Sequence, residues 1–215
     1  MKIVAISDTH GKHKNLILPQ GDVLIHAGDV SSLGKESEIK DFLNWFSKTD
    51  FTYKILIAGN HDFYFEKIGE NTKVLEELIP ENVIYLNDSG VEIENLGQKA
   101  LRIWGSPVQP WFYNWAFNRY RGEDIKRHWD KIPQNTGILI THGPAYGILD
   151  KTTRNESVGC EDLLAKIKEV KPKFHICGHI HEAYGYIKHS GTEFINASVL
   201  DENYNLKNKP VVFEI

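Results

Sequence analysis

Chemistry-bearing residue types recur at intervals along this chain, and the densest stretch is FHICGHIHEAYG, residues 174–185, where His179 and His181 follow Gly178. Imidazole suits neither a hydrophobic core nor an ordinary turn, so the pair calls for partners elsewhere. Four other stretches supply them: Asp8 and His10 in ISDTHG, Asp29 in HAGDV, Asn60 and His61 in AGNHD, and His142 in THGP. Imidazole nitrogens and carboxylate oxygens without thiolate suit manganese, iron, zinc or cobalt better than calcium or magnesium. Asp8, His10, Asp29, Asn60, His142, His179 and His181 are too many for one tetrahedral ion. They are about right for two ions that share a bridging carboxylate, and Asp29 is the best-placed bridge. On an extended segment residues i and i+2 share a face, so His179 and His181 are expected to reach one cleft together, with Gly178 relieving crowding.

These residues need a scaffold that brings them to one place. Short apolar runs precede them: KIVAIS, DVLIHA, YKILIA, NVIYL, ALRIWG, GILITH and KFHICG. Continuous runs of this length suit strands buried on both faces. Asp8-x-His10, Asp29, Asn60-His61, His142 and His179-x-His181 each fall just past such a run, where open α/β sheets bind their ligands. Helical patterns separate the runs. In ESEIKDFLNWFSK, Ile39, Phe42, Leu43 and Phe46 form one apolar stripe. NTKVLEELIP and GCEDLLAKIKEVKP repeat the pattern more briefly, each closed by proline. After residue 185, AYGYIKHSGTEFINAS and KPVVFEI suggest antiparallel strands, with a hairpin turn at Ser190-Gly191. Alternation followed by hairpins predicts an α/β protein with a mixed sheet or two stacked sheets. With no linker or repeat, the 215 residues are expected to form a single domain.

Composition narrows the function. The formal charge of −4 argues against a protein that grips long nucleic acids by phosphate neutralisation. The N-terminal apolar run is too short for a signal peptide, and no run approaches the roughly 18 residues of a membrane span. A cytoplasmic protein without a membrane partner is expected. Cys160 and Cys177 read as small buried residues of a reducing compartment. The oligomeric state is left open, a homodimer being one option.

The ordered series Asp8-x-His10, Gly28-Asp29, Gly59-Asn60-His61-Asp62, His142 and Gly178-His179-x-His181 resembles the calcineurin-like metallophosphoesterase superfamily. THGPAYGILD, HICGHIHEAYG and FINAS are similar to its metallophosphoesterase-domain-containing subfamily, related to class III cyclic nucleotide phosphodiesterases. The resemblance implies a four-layer α-β-β-α sandwich, two stacked mixed β-sheets flanked by helices. It implies that Asp8, His10 and His181 hold a first divalent ion, that Asn60, His142 and His179 hold a second, and that Asp29 lies between. Manganese is the favoured ion, ahead of iron, zinc, cobalt or nickel. His61 matches the position that contacts the substrate phosphate, and Asp62 could orient its other nitrogen.

The implied reaction is hydrolysis of a small phosphodiester, such as a cyclic nucleotide, by a hydroxide bridging the two metals. The alternatives are a phosphomonoesterase or nuclease on the same site, or a non-catalytic interaction module on the same scaffold. A protein phosphatase is disfavoured because GDVSSLGKE lacks the Asp-Arg-Gly of those enzymes. The intact ligand set argues against an idle scaffold.

Residues 106–122, SPVQPWFYNWAFNRYRG, crowd aromatics beside Arg119 and Arg121. This segment is either a long loop anchored on the core or a wall of the site. In the second reading Trp111 and Trp115 stack on a nucleobase and Arg119 meets a phosphate. His13 is a candidate for the cleft rim. His26 and His175 read as core or supporting groups, and His128 and His189 as exposed.

Overall fold

The computed structural model describes residues 1–69, 71–94 and 100–215. Its first sheet contains β1 (Lys2–Ile6), β2 (Val23–Ala27), β3 (Tyr53–Ile57) and β4 (Ile84–Tyr85), all parallel, and β13 (Val211–Glu214), which pairs antiparallel with β1. The second contains β5 (Ser89–Ile93), β6 (Leu101–Ser106), β9 (Ile138–Thr141), β10 (Phe174–Cys177), β11 (Gly185–His189) and β12 (Thr192–Asn196), in the order β11-β12-β10-β9-β6-β5. Its inner strands β6, β9, β10 and β12 are parallel, and both edge strands are antiparallel to their neighbours. Both sheets are therefore mixed.

Strand alternation builds the layers. In β1, Ile3 and Ala5 face the second sheet and pack with Ile103, Ile140 and Ile176. Val4 and Ile6 point the other way, into a layer with the helix α1 (Glu36–Ser47). The stripe Ile39, Phe42, Leu43 and Phe46 is the buried face of that helix, as its spacing predicts. Two short helices, α2 (Phe63–Ile68) and α3 (Thr72–Leu78), complete this side, with Phe65 fully buried. On the far side Leu139 and Trp104 pack against α4 (Glu123–Trp129) and α5 (Glu161–Val170) through Ile125, Trp129, Leu163 and Ile167. The result is the four-layer α-β-β-α sandwich.

The seven predicted strands and three predicted helices are present, and Ser190-Gly191 turns the hairpin with both residues at positive φ. β5, α2 and α4 had no clear pattern: SGVEI alternates at an edge, and the two helices are short. Within 106–122 a pair of two-residue strands, β7 (Gln109–Pro110) and β8 (Asn118–Arg119), closes the aromatic loop. Proline fits there because the pair has no further strand to receive its missing N–H. Both cysteines are buried and free. Among the described residues no helix is long and apolar enough to cross a membrane.

Candidate metal centre

The carboxyl ends of β1, β2, β3, β9 and β10 meet where the two sheets are stitched together. Asp8 N–H donates to Gly28 O, Gly178 N–H to His142 O, and Val199 N–H crosses to Ser7 O. Three overlapping groups form there: Asp8 with His10 and His181; His10 with Asp29 and His61; and Asp29 with His142 and His179. In each, potential ligand atoms lie within 4.8 Å of one another. Asp29 Oδ2 stands 3.3 Å from His142 Nε2 and 3.7 Å from His10 Nε2, so one carboxylate faces both halves of the site. Asp8 Oδ1 is 3.4 Å from His181 Nε2, and Asn60 Oδ1 is 2.9 Å from His142 Nε2.

The imidazoles are held in a common way. Nδ1 of His10 meets Ser31 O at 3.1 Å, Nδ1 of His61 meets Ser32 O at 2.8 Å, Nδ1 of His142 meets Ala27 O at 2.9 Å, and Nδ1 of His181 meets Asp201 O at 3.0 Å. A carbonyl accepts only from N–H, so Nδ1 carries the proton in each ring and Nε2 is the nitrogen turned to the site. His10 Nε2 is buried with no hydrogen-bond partner, which a cation would remedy. The donor set, the fixed tautomers and this orphaned nitrogen all fit a pair of divalent ions.

The backbone is bent to achieve this. Asp8, His10, Asp29 and His179 adopt φ of 55°, 40°, 57° and 67°, in the left-handed region that costs a branched or bulky residue about 1–3 kcal/mol. Close approach adds a second demand. A Cβ on Gly59 would lie 2.3 Å from Asp29 Oδ1, and one on Gly178 2.1 Å from Asp8 Oδ2. The bend at His179 also corrects the expectation of an extended His179-x-His181 segment. Residues 181–183 turn as a 3-10 helix, so His179 joins Asp29 and His142 while His181 joins Asp8 and His10.

Electrostatics follow from burying two carboxylates beside imidazoles. Burial pushes Asp29 upward, but the charge and hydrogen bond of His142 outweigh it and hold it well below the usual carboxylate range. For Asp8, burial is overcome in the same way by its hydrogen bond and charge pairing with His181. Burial lowers His142 and His181, yet Asp29 and Asp8 respectively carry each up to about 9. His179 is pushed down to about 3 by burial and by its neighbour His142. Metal ions compete with protons for such imidazoles, so cation binding here is coupled to proton release.

His61 is half-buried, with its ring 4.5 Å from His10 and 4.2 Å from Trp115. Asp62 does not orient it. The Asp62 carboxylate accepts from Ser31 N–H at 3.0 Å, Ser31 Oγ at 2.6 Å, Gly59 N–H at 2.9 Å and Val30 N–H at 3.2 Å. The Ser32 carbonyl does the orienting, and Asp62 fastens the Asp29 loop to the Asn60 loop. Burial, reinforced by Asp29, raises the Asp62 carboxyl to about 6.

A cleft of about 390 Å³ opens on the centre and is walled by Pro110, Trp111, Phe112, Trp115 and Pro144. The aromatic loop is therefore both wall and anchor: Ala116 and Phe117 are buried in the core, while Trp111 is 49% exposed and stacks on Tyr120 at 4.9 Å. Arg119 is not part of this wall. Its Nε donates to His128 Nε2 at 3.1 Å, and His128 in turn meets Asp88 at 2.5 Å, which leaves His128 half-buried rather than exposed. Arg121 lines the cleft instead, tied to Val158 O, Gly159 O and Glu161. His13 is not at the rim either; it is buried against Phe42 and Trp45, 3.3 Å from Asp41. His26 and His175 are core groups, bonded to Thr9 and Thr141, and His189 is exposed.

Sequence reasoning missed Asn196, whose Nδ2 donates to Ile180 O at 2.8 Å and pins the His179–His181 turn, and Tyr204 of the following loop. FINAS flags Asn196 as a pattern without a role. Nothing near Tyr204 in the sequence marks it, and the carbonyls that fix the imidazoles have no signature of residue type.

A two-sheet sandwich with carboxylates and imidazoles converging at its strand ends is the architecture of the metallophosphoesterases. The family model for calcineurin-like phosphoesterases matches residues 1–183, and the chain belongs to that family. It is 40% identical to human metallophosphoesterase domain-containing protein 1 over all of this chain and 71% of the relative. It is also 25% identical to a probable glycerophosphodiester phosphodiesterase, GpdQ, of Arcobacter nitrofigilis, over 84% of this chain and 72% of that one. The solved structure of TT1561 from Thermus thermophilus shares the fold with a TM-score of 0.59 at 12% identity, covering 91% of this chain and 88% of that one.

Proposed function

We propose that this protein is a dinuclear phosphodiesterase acting on small diesters, cyclic nucleotides among them, with manganese as its working ion. The observation that carries the reading is the set of imidazoles locked through Nδ1 to backbone carbonyls, with Nε2 turned toward Asp8 and Asp29. Divalent ions held there would lower the pKa of water and neutralise charge building on phosphoryl oxygens.

The chain's own residues account for the remaining work. His61, fixed through Nδ1, keeps Nε2 free to hold or deliver a proton to the leaving oxygen. Trp115 packs on the His61 ring and limits its movement. Trp111, Phe112 and Pro144 offer an apolar wall to the organic part of the ester. That wall favours a diester, whose second substituent needs a seat, over a bare monoester. The relative from Arcobacter nitrofigilis, a probable glycerophosphodiester phosphodiesterase by name, supports the same class.

The test is a substrate panel with protein reconstituted separately with manganese, iron and zinc. It should include aryl mono- and diesters and 2′,3′- and 3′,5′-cyclic nucleotides. Diesters should be preferred and manganese should give the highest rate. A preference for monoesters would overturn the diester reading, and inactivity with every metal would overturn the hydrolase.

A further inference from the structure

The aromatic residue that stands over the first half of the site is Tyr204, in the loop that follows β12. Its ring lies 5.0 Å from His10 and 4.9 Å from His181, edge-on to both. It lines the cleft with Asp29, Asn60 and His61. His10 therefore packs against both His61 and Tyr204.

The position is enforced rather than incidental. Tyr204 adopts φ of 59°, a costly conformation for a bulky residue. Its N–H donates to Asp201 O at 2.9 Å, and its carbonyl accepts from Lys12 Nζ. The Asp201 carboxylate gathers the loop by accepting from Asn203 N–H at 3.0 Å and Asn205 N–H at 2.8 Å. The Asp201 carbonyl also receives Nδ1 of His181. The loop is thus tied to the His181 turn through Asp201 and to the segment after His10 through Lys12. A loop that merely covered the site would need no strained tyrosine aimed at two imidazoles.

The Tyr204 hydroxyl has no protein hydrogen-bond partner among the described residues, and 44% of the residue is exposed. A phenol near neutral pH is a donor in search of an acceptor. We propose that Tyr204 is a substrate-contacting residue whose hydroxyl donates to an oxygen of a phosphoryl group seated against the Asp8, His10 and His181 half of the site. The inference rests on the phosphoesterase reading above and deepens it. The ligand class is a tetrahedral oxyanion, either the reactive phosphate of a singly charged diester or the phosphate product. His61 and Tyr204, which both line the cleft beside His10, would then contact the same phosphoryl group.

The test compares wild type, Tyr204→Phe and Tyr204→Ala, each loaded with manganese. Metal content, melting temperature, kcat and KM for bis(p-nitrophenyl) phosphate, and calorimetric binding of inorganic phosphate are measured for each. Tyr204→Phe keeps the ring and its packing, so metal content and melting temperature should match wild type. Its kcat/KM should fall at least about tenfold and its phosphate affinity by a similar factor, as expected for losing a hydrogen bond to a charged acceptor. Tyr204→Ala should fall at least as far. A Tyr204→Phe protein equal to wild type in both rate and phosphate binding would overturn the inference and leave the tyrosine as packing. Phosphate that fails to bind the metal-loaded wild type would overturn it as well. Wild type that binds phosphate but hydrolyses no ester would defeat the phosphoesterase reading alone, and the phosphate titration would still decide the role of Tyr204.

Discussion

The strand-end loops and the aromatic loop over 106–122 border the same cleft but are built on opposite terms. In the strand-end loops Asp8, Asp29 and His142 are buried, four of the ligand-type residues sit at positive φ, and the rings of His10, His61, His142 and His181 are fixed through Nδ1 to backbone carbonyls. In the aromatic loop Ala116 and Phe117 reach the core while Trp111 and Phe112 stand about half in solvent and Tyr113 more so. The first region buries its polar groups, and the second presents aromatic faces to solvent. Buried, backbone-fixed geometry suits groups that must hold charge at fixed separations, and exposed aromatic faces suit the part of a substrate that varies.

The contrast predicts a steep ranking of substitutions. Asp29→Asn should have the largest effect, about 10³-fold or more in kcat, because the residue faces both halves of the centre. Metal analysis should show the loss at the same time; full metal content with wild-type rate would break the comparison. Gly59→Ala and Gly178→Ala come next. Each forces a Cβ to within 2.3 Å of an aspartate oxygen, which something must move to relieve. About 2–4 kcal/mol of stability should be lost in a urea titration, together with metal affinity.

Asp62→Asn should cost less, about 1–3 kcal/mol, by replacing an acceptor of four hydrogen bonds with a group that also donates. Because Asp62 does not touch the His61 ring, the substitution should lower stability and metal affinity together. A change in rate at unchanged metal content would restore the role expected from the sequence.

Acid should separate the two regions further. Burial holds His26 and His175 down at about 3, so both are neutral when folded and would take up protons when unfolded. Their contribution is full above the unfolded value near 6.5 and is lost as pH falls toward about 3, costing about 2 kcal/mol each by pH 5. Burial also raises Asp88, but hydrogen bonds from His128, Ser106 and Lys131 overcome it and bring the carboxyl to about 2. The Asp88 support near the aromatic loop therefore persists until pH falls through that range. Hydrogen exchange at pH 5 should show the strand-end loops opening first, and His175→Gln should flatten the acid limb. The smallest effect belongs to Trp111→Ala, which should alter KM by less than about tenfold and differently for each ester, with kcat on the aryl diester nearly unchanged.

Much of this organisation is legible in the residues themselves. Buried parallel strands are written as unbroken apolar runs, and the stripe of α1 as a period, so the elements follow from hydrophobicity, while the choice of two stacked sheets over one mixed sheet comes from the family resemblance. The ligand types are legible because no core or turn explains them in that order. What escapes is set by the backbone and by distance. His179 parts from His181 because of a left-handed φ that no spacing rule encodes. Asp62 next to His61 suggests a pair, yet the chain turns it toward Ser31 and Gly59. Arg119 and Arg121 stand two residues apart, and only packing decides that Arg119 meets His128 of α4 while Arg121 reaches Val158 and Gly159. Tyr204 reaches the site through a loop that has no motif of its own.

We propose that one edge of this sandwich holds two divalent ions that share Asp29, which faces both halves of the site. Titration of the metal-depleted protein with manganese, followed by counting of bound ions, tests it most directly. Wild type should bind two ions per chain, and Asp29→Asn should lose high-affinity binding at both. Saturation at one ion in wild type, or two undiminished sites in Asp29→Asn, would contradict the account.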